Sequence, residues 1–225
     1  MTHKVLHWLK HVVLLILLLA AYLTNSFLLE VATATAHSAP SLAMRFIGLT
    51  LMSAAGLLAL FTWYYRRQLQ AENPRNFGKT PVRFNSILIV MTTFIALLVV
   101  QFLWMLLIVN HILPTPDNQA AVEAATNQLP FWNNAYDVFL APIFEEFIFR
   151  GFFFNFFFVK NRPRDTWLGI LMSGLVFGYM HTLSLSPTML FYSALGCLMA
   201  WTYLHFKDIR YSIALHFLNN LWAIL

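Results

Sequence analysis

The sequence predicts an all-α protein, a polytopic transmembrane helix bundle of about seven spans. Three observations predict it. Of the 225 residues, 60% are hydrophobic and only 10% charged, giving a mean hydropathy of +0.66; a soluble domain carries roughly 25% charge. The apolar residues come in runs close to the roughly 20 residues that an α-helix needs to cross about 30 Å of hydrocarbon. These runs are continuous rather than alternating, which excludes a transmembrane barrel.

In chain order, the hydrophobic helices are expected near residues 11–29, 42–65, 84–110, 136–159, 166–183, 188–206 and 210–225. Lys4 and Lys10 precede the first; Arg66, Arg67, Arg75, Lys79 and Arg83 follow the second. Lys160, Arg162 and Arg164 follow the fourth, and Lys207 and Arg210 follow the sixth. Of 14 basic residues, only Arg45 and Arg150 fall outside these alternate loops. The opposite loops hold Glu30, Asp117, Glu123 and Asp137. By the positive-inside rule the N-terminus is cytoplasmic and the C-terminus faces out. The net charge of +5 thus serves topology, and no nucleic-acid partner is expected.

Lys4, Lys10 and the first apolar run also have the outline of a signal peptide, with Ala34-Thr35-Ala36 as an Ala-x-Ala site. The run reaches Leu29, longer than an h-region of about 7–15 residues, so a retained span is expected. The segment 111–133, with Pro114, Pro116 and Pro130 and no basic residue, is expected on the outer surface as a lid or short interfacial helix. Cys197 is the single cysteine, which excludes a disulfide framework or a Cys-based zinc site within one chain. No internal repeat and no second, soluble domain is found. The chain divides into an N-terminal transmembrane region, 1–134, with three spans and the outer loop, and a chemistry-bearing helix region, 135–225.

That region earns its description from charges placed in lipid. An ionisable residue at mid-bilayer costs about 2.5–3.5 kcal/mol on insertion scales, and usually faces a bundle interior. The fourth span holds three, Glu145, Glu146 and Arg150. Glu146 and Arg150 stand four apart, so their side chains meet on one helix face and neutralise each other. Glu145 is turned about 100° away and has no partner in its own helix. A buried carboxylate in that position is protonated, metal-bound or paired with a group from another span. His181 ends the fifth span, and His216 and Asn220 share a face of the seventh, one turn apart. Read blandly, the same residues are structural glue between helices. His3, His7, His11, His37, His111 and His205 sit at span ends or in loops, and Phe152 to Phe158 reads as lipid-facing and packing surface. Ser173 and Ser212 lack a Gly-x-Ser-x-Gly setting. Tyr136-Asp137 lacks the Gly-x-Gly-Asp partner of an aspartyl intramembrane protease.

Glu145-Glu146-x-x-x-Arg150, Phe177-x-x-x-His181 and His216-x-x-x-Asn220, in that order on successive helices, resemble the CAAX protease and bacteriocin-processing family (CPBP, also called Abi). Gly151 and Ser212-Ile213 add to the resemblance, which covers about residues 135–225; the first three spans are the part that varies. The resemblance implies an intramembrane endopeptidase with its active-site helices in the C-terminal half, acting on a prenylated or bacteriocin-like peptide substrate in or at the bilayer. It also implies an integral protein of a bacterial plasma membrane. Carried over by position, Glu145 and His181 activate the attacking water, Glu146 and Arg150 support them, and His216 and Asn220 complete the site. Members of the family are usually read with eight spans, one more than is found here.

Two mechanisms fit these residue types. In one, Glu145, His181 and His216 form a His₂Glu set for zinc, with an open position for water. In the other no metal is needed: Glu145 with His181 deprotonates water, and His216 with Asn220 donates to the oxyanion. A different class of function also remains, a non-catalytic bacteriocin self-immunity or membrane interaction protein using the same bundle. A proton-coupled transporter is a third reading, and the missing inverted repeat argues against it.

Overall fold

The computed structural model describes residues 2–113 and 124–225, and every regular element among them is helical. These are α1 (Thr2–Thr35), α2 (Pro40–Ala71), α3 (Phe84–Val109), α4 (Pro130–Ala135), a π-helical segment (Tyr136–Leu140), α5 (Ala141–Glu146), a second π-helical segment (Phe147–Phe152), α6 (Phe153–Phe157), α7 (Pro163–Thr182), α8 (Pro187–Phe206) and α9 (Ile209–Ile224). Each predicted hydrophobic segment falls on helix. Four helices, α1, α2, α3 and α8, are long and apolar enough to cross a membrane by themselves. Most of the expected outer loop, residues 114–123 with Asp117 and Glu123, lies outside the described residues.

Local chemistry sets the boundaries. Pro40, Pro130, Pro163 and Pro187 stand in first turns, where a missing N–H breaks no helical bond. Ser186 Oγ accepts from the Met189 amide at 3.3 Å, and the Asp208 carboxylate accepts from the Arg210 amide at 3.0 Å. α7 and α8 end on left-handed residues, Leu183 (φ 49°) and Lys207 (φ 54°). α1 overruns its expected limits at both ends because no proline or glycine interrupts the chain before Pro40.

The segment expected as one helix over 136–159 is instead split by two π turns and ends at Phe157. Pro142 has no N–H to donate four residues back, and the turn before it widens, so that the Ala141 amide bonds Tyr136 O. The second π segment follows the glutamates and contains Gly151; at its end the Phe153 amide bonds Ile148 O. Single π turns within helices occur mostly at functional sites, and here they bracket Glu145 and Glu146.

Residues 1–72 with 121–157 form one compact unit, and 73–120 with 158–225 a second. In the first, α1 and α2 pack along each other. Ala43, Ile47, Thr50, Ala54, Phe61 and Tyr65 make the buried stripe of α2, at the spacing of one helix face. The answering stripe of α1 is Tyr22, Asn25, Leu29 and Ala32. Phe61 is fully buried, set edge-on to Phe144, Phe147 and Phe152 at centroid distances of 5.7, 6.2 and 5.4 Å. Phe152, Phe153, Phe154 and Phe156 are all buried. Of the stretch expected as lipid-facing and packing surface, these positions are packing surface: Tyr64 lies against Phe152 and Phe156, and His11 against Phe156. Asn25 ties three elements together. Its Nδ2 donates to Thr50 O at 2.9 Å and Ser53 Oγ at 2.7 Å, and its Oδ1 accepts from the Tyr136 hydroxyl at 2.8 Å.

In the second unit, α7 and α8 form the closest pair. A Cβ placed on Gly178 would lie 2.7 Å from Ser193 N, and would also collide with Ser193 Oγ and Met189 O. Gly174 faces Cys197 and Ser193 in the same way. The Gly-x-x-x-Gly spacing thus lets two backbones approach as they do in membrane helix pairs. α3 and α9 pack on α8 and on each other. The polar segment 73–83 is strapped to the α8–α9 junction. Gly78 N donates to Lys207 O (2.8 Å), Thr80 N to Asp208 Oδ2 (2.8 Å) and the Tyr211 hydroxyl to Pro81 O (3.0 Å). Arg75 is buried there, its Nε donating to Phe158 O at 2.7 Å.

Candidate active site

In the first unit, α5 carries Glu145 and Glu146, and the π segment after it carries Arg150. Arg150 Nη1 lies 2.8 Å from Glu146 Oε1, both side chains being fully buried. The pair expected from the i, i+4 spacing therefore forms despite the wider turn. Desolvating two opposite charges together leaves a site with no net charge, where either one alone would be severely penalised.

Glu145 is only partly buried, and its Oε1 accepts a hydrogen bond from the Tyr22 hydroxyl at 2.8 Å. A phenol on α1 is therefore one partner from another span of the kind that a carboxylate in lipid requires. Tyr22 is itself buried and packs its ring against Phe144 at 5.7 Å. Nothing in the first span had been singled out. The available signal was Tyr22 with Asn25, two hydrogen-bonding side chains on one face of a long apolar run.

In the second unit, Phe177 gathers the two histidines. Its ring centroid is 4.2 Å from that of His181 and 5.7 Å from that of His216. His181 Nδ1 is 2.9 Å from Phe177 O. A carbonyl only accepts, so in the neutral ring Nδ1 carries the proton and Nε2 keeps its lone pair. Tyr192 stacks on the His181 ring at 4.8 Å. His216 is buried on α9, with Asn220 one turn further along.

Asn220 is held by residues that the motifs do not include. Asn219 Nδ2 donates to Asn220 Oδ1 at 3.1 Å, and Gln101 Nε2, from α3, donates to Asn219 Oδ1 at 3.1 Å. Gln101, Tyr192 and Asn219 carried no sequence signal beyond being polar in apolar runs. Within neither unit, among the described residues, do three His, Cys, Asp or Glu side chains converge as a metal-binding group. The set expected for zinc, Glu145, His181 and His216, draws on both units.

These features define a class: an all-α membrane protein with a neutralised Glu–Arg pair beside a second glutamate, and with His and His…Asn on later helices. Residues 127–222 match the family described as Type II CAAX prenyl endopeptidase Rce1-like. That segment is similar to this family, which is the CPBP family that the chain's motifs resemble, and the long apolar helices make the chain an integral membrane protein. The matched range contains Glu145, Glu146, Arg150, His181, His216 and Asn220, whereas Tyr22 and Gln101 lie outside it. No curated protein and no solved structure matches the chain.

Proposed function

We propose that this protein is an intramembrane endopeptidase that cuts a membrane-associated peptide, lipidated or bacteriocin-like, with water activated by Glu145 and His181. The observation that carries the reading is the unequal treatment of two adjacent glutamates. Glu146 is neutralised by a buried guanidinium, while Glu145 is oriented by a neutral hydroxyl. A phenol fixes a carboxylate in place without cancelling its charge, which suits a general base.

In this reading Glu145, with Nε2 of His181, takes a proton from water as the water oxygen bonds to the scissile carbonyl carbon. His216 and Asn220 donate to the oxyanion that forms. The C–N bond then breaks, and the proton held by Glu145 passes to the leaving amine. Glu146 and Arg150 keep the helix segment that presents Glu145 rigid and uncharged. One carboxylate and two imidazoles also fit zinc. The contact of His181 Nδ1 with a backbone carbonyl is the kind of outer support that would leave Nε2 available to hold an ion. Glu145, His181 and His216 would hold the ion, which when bound would acidify water and polarise the carbonyl.

The test uses full-length protein in liposomes, offered a prenylated C-terminal peptide and the same peptide without its lipid. The expected result is a C-terminal fragment released from the lipidated peptide, identified by mass. Tight binding of that peptide with no product would overturn the proposal in favour of an immunity or interaction protein. Orientation is proposed with the N-terminus cytoplasmic and the C-terminus outside, from the distribution of basic residues.

A further inference from the structure

We infer that Gln101 and Asn219 are positioning residues that decide which end of the Asn220 carboxamide is offered to the oxyanion. The inference deepens the proposed function and rests on the role given there to Asn220. A carboxamide has two ends of nearly equal size and opposite chemistry, a C=O that accepts and an NH₂ that donates. Only the NH₂ end stabilises an oxyanion; turned over, the same side chain would set a lone pair against the developing charge. Something outside the side chain must choose.

The chain Gln101–Asn219–Asn220 makes that choice. The Gln101 amide nitrogen donates to the oxygen of Asn219, and the amide nitrogen of Asn219 donates to the oxygen of Asn220, each at 3.1 Å. Each link consumes an acceptor with a donor, so the three carboxamides share one polarity, in which Asn219 presents its NH₂ to Asn220. At its end, Oδ1 of Asn220 is engaged and Nδ2 is the donating end. All three residues lie in one compact unit. In an apolar setting such a carboxamide chain also joins helices, but glue works equally well with either polarity. Catalysis does not.

The test measures kcat and KM for peptide cleavage by full-length protein in liposomes, across pH, for wild type, Asn219→Asp, Asn219→Leu and Asn220→Ala. Asn219→Asp is nearly isosteric. When protonated, the new carboxyl still donates to Asn220 and accepts from Gln101. When ionised it only accepts, and Asn220 must turn its NH₂ toward it. The expected result is a kcat for Asn219→Asp that approaches wild type at low pH. It should fall on the order of a hundredfold below wild type, the loss of one oxyanion donor, as the new carboxyl ionises, with KM little changed. Asn219→Leu should be low in kcat at every pH. If Asn220→Ala is defective and the ratio of Asn219→Asp to wild type is flat with pH, this inference fails while the reading of Asn220 stands. If Asn220→Ala matches wild type, the oxyanion reading fails and this inference goes with it.

Discussion

Neighbouring glutamates on α5 have different partners, and the difference has energetic consequences. Glu146 and Arg150 are fully buried and 2.8 Å apart. Removing one member leaves an uncompensated buried charge, at a cost of about 3–5 kcal/mol, whereas replacing both by apolar residues is often neutral. Arg150→Met alone should therefore lower thermal stability in detergent sharply, and the double variant Glu146→Leu/Arg150→Met should recover most of it. Equal loss in both would show that the ion pair is not what the helix depends on. Tyr22 gives a second expectation. Tyr22→Phe keeps the ring against Phe144 and deletes only the hydroxyl that holds Glu145. Melting should move little, while kcat should fall on the order of tenfold to a hundredfold, as for a misplaced reactive group. An unchanged kcat would remove Tyr22 from the site.

At the scale of elements, close packing and altered helix geometry position these side chains. Gly178 has backbone atoms of Met189 and Ser193 against it, whereas Gly56 has nothing within 4 Å of its missing side chain. Gly178→Ala should then destabilise by about 1–3 kcal/mol, the usual cost of overpacking. Gly56→Ala should be neutral or add up to about 1 kcal/mol from helix propensity. Thermal unfolding of the two variants side by side checks this; similar losses would contradict the packing account. The Gly-x-x-x-Gly spacing stands in the sequence but was not singled out there. The π turns were not read from it, although Pro142 stands just after the first and Gly151 within the second. A one-residue widening leaves little trace in periodicity when apolar residues occupy every face of the helix from Phe139 to Phe158. For the same reason Phe152 to Phe156 could not be assigned to core or lipid by composition: both environments select the same side chains.

For the whole molecule, the charges and their order along the chain were the legible part. Glu145, Glu146, Arg150, His181, His216 and Asn220 stand out because each is anomalous in its own helix, and the matched family range contains them all. Tyr22 and Gln101 were harder to read because each bonds a residue more than 100 positions away; Asn25 on the same face was the one local mark of Tyr22, and Gln101 had none. The basic segment 73–83 was read purely as a topology signal, yet it is also structural, since Asp208 joins Thr80 to the start of α9. Asp208→Ala removes a helix cap worth about 1 kcal/mol together with that anchor. Limited trypsin digestion at Lys79 and Arg83 should then speed up; an unaltered digestion rate would mean the strap holds without it.

The central claim is that Glu145 activates the water that cuts the peptide. Its most direct test is the cleavage rate of a lipidated peptide by Glu145→Gln, purified in the same folded state as wild type and placed in liposomes. The amide retains the shape and can still accept from Tyr22, but it cannot take a proton from water. A fall of about 10²–10⁴ in rate is expected, the size of a lost general base. A rate equal to that of wild type would contradict it.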